Sequence, residues 1–273
     1  MIEFFKDKNV SLVGPADYLE IFGKDSKNLK KIESADVVVK LNSGINLSNI
    51  YPELVSRKID ILYNSLLDNC VNGGVLNIED IVKANVRHIR TTPKSSYSGF
   101  AHRQDSTNIT SKETYNKLLS LSNDHHIDTS IMDMNLYNLV SKSVKSKPTT
   151  GFVAIYDILM YNPKSLYITG FNFFMTPPLK GYWGASLDGN EKIPHKFTVS
   201  GQKNEILRTE QEHAEVVANS KRHVHEYMWR YAKSTLLNKS NVSFDPILEK
   251  FLLVENFSKE NYTKIVKDYL EES

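Results

Sequence analysis

In Pro148-Thr149-Thr150-Gly151 a proline, two hydroxyls and a glycine stand at the head of a smooth apolar run, Phe152 to Asn162. If that run is a helix, its first N–H groups lack intrahelical partners. Together with the two hydroxyls they can bind an anion such as a phosphate. The glycine lets such a group approach the backbone closely. The same four residues also make an ordinary threonine cap, and on local chemistry alone the cap is the simpler reading.

His213, His223 and His225 fall on or near one helical run. His223 and His225 are two apart, so they point to different faces and make no i,i+4 metal pair. His223 and Glu226 are three apart and can meet on one face. A carboxylate beside an imidazole orients it and raises its basicity, as a general base requires. A solvated helix face with an incidental contact is the simpler account of that pair. His125 and His126 read as part of a loop with too few ligands for a metal. Tyr182-Trp183, set between Gly181 and Gly184, is either a platform for a sugar or base or a plug in the core. No G-x-x-x-x-G-K-[ST], G-x-G-x-x-G or Asp-X-Asp occurs. A phosphate site here is therefore neither a P-loop nor a standard dinucleotide turn, and a cation held by paired aspartates is not supported.

These residues need a frame, and the chain supplies a repeating one. Asn9 to Gly14 is a β-rich run ending in glycine, and Asp36 to Asn42 is a second with three consecutive valines. Between them, Pro15 to Ala35 reads as helical with Pro15 at its start, which gives a βαβ unit. Further strands are expected at Lys58 to Ser65, Val86 to Thr92, Ser165 to Phe174 and Asn241 to Phe244. The segments starting at Ile78, Lys112, Met132 and Phe152 read as helices, as do those starting at Asp245 and Glu260. So does the long run from Glu205 to Leu237, with a break near Asn219-Ser220. Thr92 to Ser111 reads as a long polar loop and Thr176 to Phe197 as an aromatic one. The fold class is α/β, a mostly parallel sheet flanked by helices, in one domain over residues 1–273. Ligands of such sheets sit beyond the carboxyl ends of strands, which places Gly14 to Asp17 beside Lys40 to Ser43 at a ligand edge.

Composition narrows the partners. There are 34 Lys and Arg against 32 Asp and Glu, so charge gives no case for nucleic acid or a membrane surface. The single cysteine, Cys70, forms no internal disulfide and reads as inert. No signal-peptide core and no membrane-spanning run is present, which leads to an expectation of a cytoplasmic protein.

Taken together, these stretches resemble the sialyltransferases of glycosyltransferase family 29. "VSLVG…IESADVVVKLN" is similar to their large motif, with Ile32 to Val38 and Lys40-Leu41-Asn42 as the matching residues. "KPTTGFVAIYDILMYNPKSLYITGF" resembles the small motif, "GYWG" the third motif and "HVHEYMWRYAKSTLLNKSNV" the very small motif. The four occur in family order over about a third of the chain. Pro15-Ala16 stands where the family usually has asparagine, and Lys40 where it usually has arginine. One cysteine cannot form the disulfide that joins the two larger motifs in animal members.

The resemblance implies a Rossmann-like, GT-A-variant fold and a metal-independent, inverting transferase with no cofactor beyond its donor. That donor is a CMP-linked nonulosonic sugar, and the acceptor is a hydroxyl of a glycan or glycolipid. By the same resemblance His223 is the general base, supported by Glu226. Gly14, Ala16, Asn42, Asn64, Thr149, Thr150, Gly151, Tyr182 and Trp183 contact the donor nucleotide, with Lys40 in support. Another nucleotide sugar, or a non-catalytic nucleotide- or glycan-binding domain, is the alternative.

Overall fold

The computed structural model describes residues 1–24, 26–66, 77–93, 111–184, 187, 190–199, 202–220 and 223–272. Cys70 and most of the polar stretch after Thr92 lie outside the described residues.

The strands are β1 Asn9–Val13, β2 Val37–Leu41, β3 Ile61–Tyr63, β4 His88–Thr91, β5 Asp128–Ile131, β6 Ser165–Thr169, β7 Ile193–Val199, β8 Gln202–Arg208 and β9 Val242–Phe244. Seven of them form one sheet in the order β5-β4-β3-β2-β1-β6-β9. Every neighbouring pair in it is parallel. A parallel sheet needs crossovers that lay helices on its faces, so its inner strands are buried on both sides. That explains the valine run of β2, all five of whose residues are buried. β7 and β8 form a separate antiparallel pair.

The order rises away from β1 in both directions. β2 to β5 lie on one side, and β6 and β9 on the other. The connections leaving β1 and β6 therefore diverge, which opens a crevice beyond their carboxyl ends.

Side-chain caps start the helices that flank this crevice. Thr149 accepts from Phe152 N at the head of Thr150–Leu159. Asp245 accepts from Leu248 N at the head of Pro246–Leu253. Thr209 and Glu212 form a reciprocal capping box at the head of Glu210–Ala218.

Several expectations are corrected. Pro15 does not begin a helix: Ala16 bridges to Pro178 and the first turn starts at Leu19. β3 spans only Ile61–Tyr63, well inside the expected Lys58 to Ser65. β6 stops at Thr169, because Gly170 turns the chain at φ 75°. β5 is an unexpected edge strand whose Asp-Thr-Ser-Ile sequence lacks an alternating pattern. β7 and β8 replace part of the expected aromatic loop and the first turn of the expected long helix.

His88 on β4 carries a testable consequence. It is 5% exposed and its Nε2 lies 2.6 Å from Ser130 Oγ. Burial pushes its pKa down to about 4 from 6.5. The neutral ring thus contributes fully to stability above about pH 6.5, and that contribution is lost as pH falls toward 4. Denaturant titrations across this window are expected to show stability falling with pH, with a shallower fall in His88→Gln.

Candidate functional site

The crevice is a cleft of about 650 Å³ including its mouth. It is lined from the β1 end by Pro15 and Ala16, from the β2 end by Leu41 and Asn42, and from the β6 end by Gly170 to Phe174. The head of the helix Thr150–Leu159, Tyr182, His225 and Met228 complete it.

Its floor at the sheet edge is Gly170, with Gly14 packed behind it. Gly14 N donates to Thr169 O (2.8 Å) and Ala16 N to Gly170 O (3.0 Å). A Cβ on either glycine would fall far inside contact distance of the other's carbonyl oxygen. Bare backbone is thus required at both positions for β1 and β6 to end this close together.

A buried dyad holds the glycine turn in place. Tyr18 donates its hydroxyl to Asp245 Oδ2 (2.6 Å) and accepts from Gly170 N and Phe171 N (3.0 Å each). Asp245 also accepts from Gly170 N (3.1 Å). Burial raises the pKa of both side chains, and each is fully enclosed. Sequence reasoning missed this pair. Asp245-Pro246 signalled a helix cap, but nothing local showed its second role.

The helix head is where it was expected. Thr149 is the cap, so its hydroxyl oxygen is engaged with Phe152 N (3.3 Å). The cap leaves the Thr150 and Gly151 N–H groups without intrahelical partners at the cavity wall. Gly151 also sits close to protein atoms. A Cβ there would lie 2.7 Å from Leu41 Cδ1 and 3.2 Å from Phe171 Cε1, so the missing side chain makes room for protein atoms.

The other expected nucleotide contacts divide. Ala16, Asn42, Thr149, Thr150, Gly151 and Tyr182 line the cleft. Asn42 sits at φ 46°, and its Oδ1 accepts from Ser65 N (3.0 Å). Asn64 lies behind it, fully buried, with its side chain turned to Leu66 N (2.6 Å) and the Asn42 carbonyl (3.5 Å). It shapes the Asn42 turn from outside the cleft. Gly14 and Lys40 line a small neighbouring cavity that also touches Tyr182. Lys40 is buried and donates to Ser48 Oγ and to the carbonyls of Val55 (2.6 Å) and Ser56 (2.5 Å). It ties the segment after β2 together, and burial holds its pKa well below the usual lysine range.

Tyr182 and Trp183 are not an exposed platform. Each is 6% exposed, and Glu210 binds Gly181 N and Trp183 N (2.9 Å each). Tyr182 reaches the cleft from within the core, while Trp183 packs edge-on against His213.

The histidines are rearranged. His223 precedes the helix His225–Leu236 instead of lying on it. Its Nδ1 lies 2.7 Å from the carbonyl of Lys147, two residues before the helix cap Thr149. A carbonyl only accepts, so Nδ1 carries a proton. Glu226 makes an i,i+4 ion pair with Arg230 (2.6 Å). His225 stacks near His223, with ring centroids 6.5 Å apart, and it is His225 that lines the cleft. His213 is buried. Among the described residues, no three His, Cys, Asp or Glu side chains gather as metal ligands would, and no helix is long and apolar enough to cross a membrane.

No family model matches the chain, and no curated protein matches it. Among solved structures, it is similar to the sialyltransferase CstII from Campylobacter jejuni, determined in complex with a substrate analogue, CMP-3FNeuAc. The identity is 12% and the TM-score 0.38, over 61% of this chain and 65% of that one, so this chain spans just under two thirds of its length.

Proposed function

We propose that this chain is an inverting glycosyltransferase that moves a sialic-acid-like sugar from a CMP-linked donor to a hydroxyl of a glycan or glycolipid, without a metal. One observation carries the reading. Residues from motif-like stretches far apart in sequence, Asn42, Thr149 to Gly151 and Tyr182, line one cleft at the switch point of a parallel sheet, and His223 bonds the chain two residues before the Thr149 cap.

The chemistry follows from those positions. As the bond between the anomeric carbon and the phosphate oxygen breaks, negative charge grows on the departing CMP. The Thr150 and Gly151 N–H groups and the positive end of their helix stabilise that charge. The acceptor oxygen bonds to the anomeric carbon from the opposite face, and its proton passes to His223 Nε2. The Lys147 carbonyl keeps the imidazole in the tautomer that can take it.

Donor hydrolysis across a panel of CMP- and UDP-sugars, run in excess chelator, tests the proposal. Turnover of CMP-linked nonulosonic sugars and a rise in Tm with CMP but not UDP are the expected results. Turnover of UDP-sugars alone would overturn the donor assignment.

A further inference from the structure

Beside the cleft lies a buried polar atom that the proposed chemistry does not use. His225 is 6% exposed and lines the cleft. Its Nε2 lies 3.0 Å from the carbonyl of Val217. A carbonyl accepts only, so Nε2 carries the proton and Nδ1 is left as an acceptor. Nδ1 is buried and has no hydrogen-bond partner. Burial also lowers the pKa of this ring, which keeps it neutral and its lone pair available. Buried acceptors are nearly always paired, so one left open at a cleft calls for a partner from outside the chain.

The ring beside it sits on a strained turn. Phe174 also lines the cleft, and its ring lies against the imidazole with centroids 4.7 Å apart. It belongs to a tight turn closed by Met175 N on Asn172 O (3.1 Å), with Phe173 at φ 51° and Phe174 at φ 59°. Two left-handed central residues make the turn type that normally carries Asn-Gly, and bulky side chains are strained there. Phe173 is anchored between Phe152 and Phe251, with ring centroids 6.4 and 6.3 Å away. Phe174 is half-buried, and its ring covers the imidazole.

We propose that His225 Nδ1 accepts a hydrogen bond from a neutral hydroxyl or amino group of the ligand in this cleft, reached when the Phe174 ring turns aside. This rests on the reading of the cleft as a nucleotide-sugar site. It separates two tasks: the helix head takes the anion, and His225 selects a ligand that carries a neutral donor.

Two variants isolate the atom. His225→Gln keeps a nitrogen near the Nε2 position for Val217 and removes the cleft acceptor. His225→Asn keeps an oxygen near the Nδ1 position and gives up the Val217 bond. Nδ1 is read by nitrogen-15 NMR of histidine-labelled protein, with the His225 resonance assigned by its loss in His225→Gln. Tm is measured on the same samples with CMP, UMP and a free nonulosonic acid as probes.

The expected result is a large Nδ1 shift with CMP, about tenfold weaker CMP binding in His225→Gln at little change in Tm, and binding near wild type in a less stable His225→Asn. If CMP raises Tm but leaves Nδ1 unmoved, or if His225→Gln binds as wild type does, the role of His225 falls and the donor reading stands. If only UMP moves Nδ1, the donor reading falls and the acceptor role stands. If no probe moves Nδ1 or Tm, both fall.

Discussion

Replacing His223 with alanine is expected to lower the transfer rate by about 10²- to 10⁴-fold, the usual contribution of a positioned general base. CMP binding should persist, because the cleft wall is built by Thr150, Gly151 and Asn42, which the substitution leaves in place. The comparison to make is kcat for transfer against the CMP-induced rise in Tm. A variant that keeps full transfer would place the base elsewhere. A variant that loses both readouts would show that the His223–Lys147 bond (2.7 Å) holds the helix head as well as the imidazole. His223→Gln separates those cases, because its amide can still bond the Lys147 carbonyl but takes up no proton.

Gly170→Ala is expected to have the larger structural effect. Gly170 sits at φ 75°, a conformation strained for any residue with a Cβ, and the new methyl would press on the Gly14 carbonyl. The obstacle is backbone on a buried strand end, so no side chain can swing away from it. A loss of about 3–5 kcal/mol is expected, at the upper end of single-residue effects. Gly14→Ala should behave alike, for the reciprocal reason. The double variant should lose less than the sum of the two, because one separation of β1 from β6 relieves both clashes. Equilibrium denaturation of the three variants measures this, and a change under about 1 kcal/mol in Gly170→Ala would show that the two turns part easily.

The parallel frame was legible in the sequence because its signals are local. Three consecutive valines in β2, the glycines that end β1 and β6, and the Thr149 cap each follow from the chain within a few residues. β5 was not legible, since an edge strand of Asp-Thr-Ser-Ile shows its nature only through pairing with β4. β7 and β8 were hidden for a similar reason, being defined by each other. In the cleft, Asn42, Thr149, Thr150, Gly151 and Tyr182 were within reach because each belongs to a short motif-like stretch. Tyr18, Asp245 and the exchange of His225 for His223 at the wall were not. Burial decides all three, and burial depends on elements more than a hundred residues apart, as Tyr18 and Asp245 are. Gly151 carries a constraint that the sequence did not show: its bare face accommodates Leu41 and Phe171.

Asp245 belongs to two assemblies at once. Through one oxygen it starts the helix Pro246–Leu253, and through the other it holds the Gly170 turn and Tyr18. A carboxylate shared in this way makes the C-terminal region a keystone of the cleft, although no described residue beyond Asp245 lines it. Fraying of that helix withdraws the acceptor that keeps the floor closed. A ligand that favours the closed floor must, by linkage, also favour the ordered helix. Order at one end of the chain and occupancy at the centre of the sheet are therefore two views of a single equilibrium.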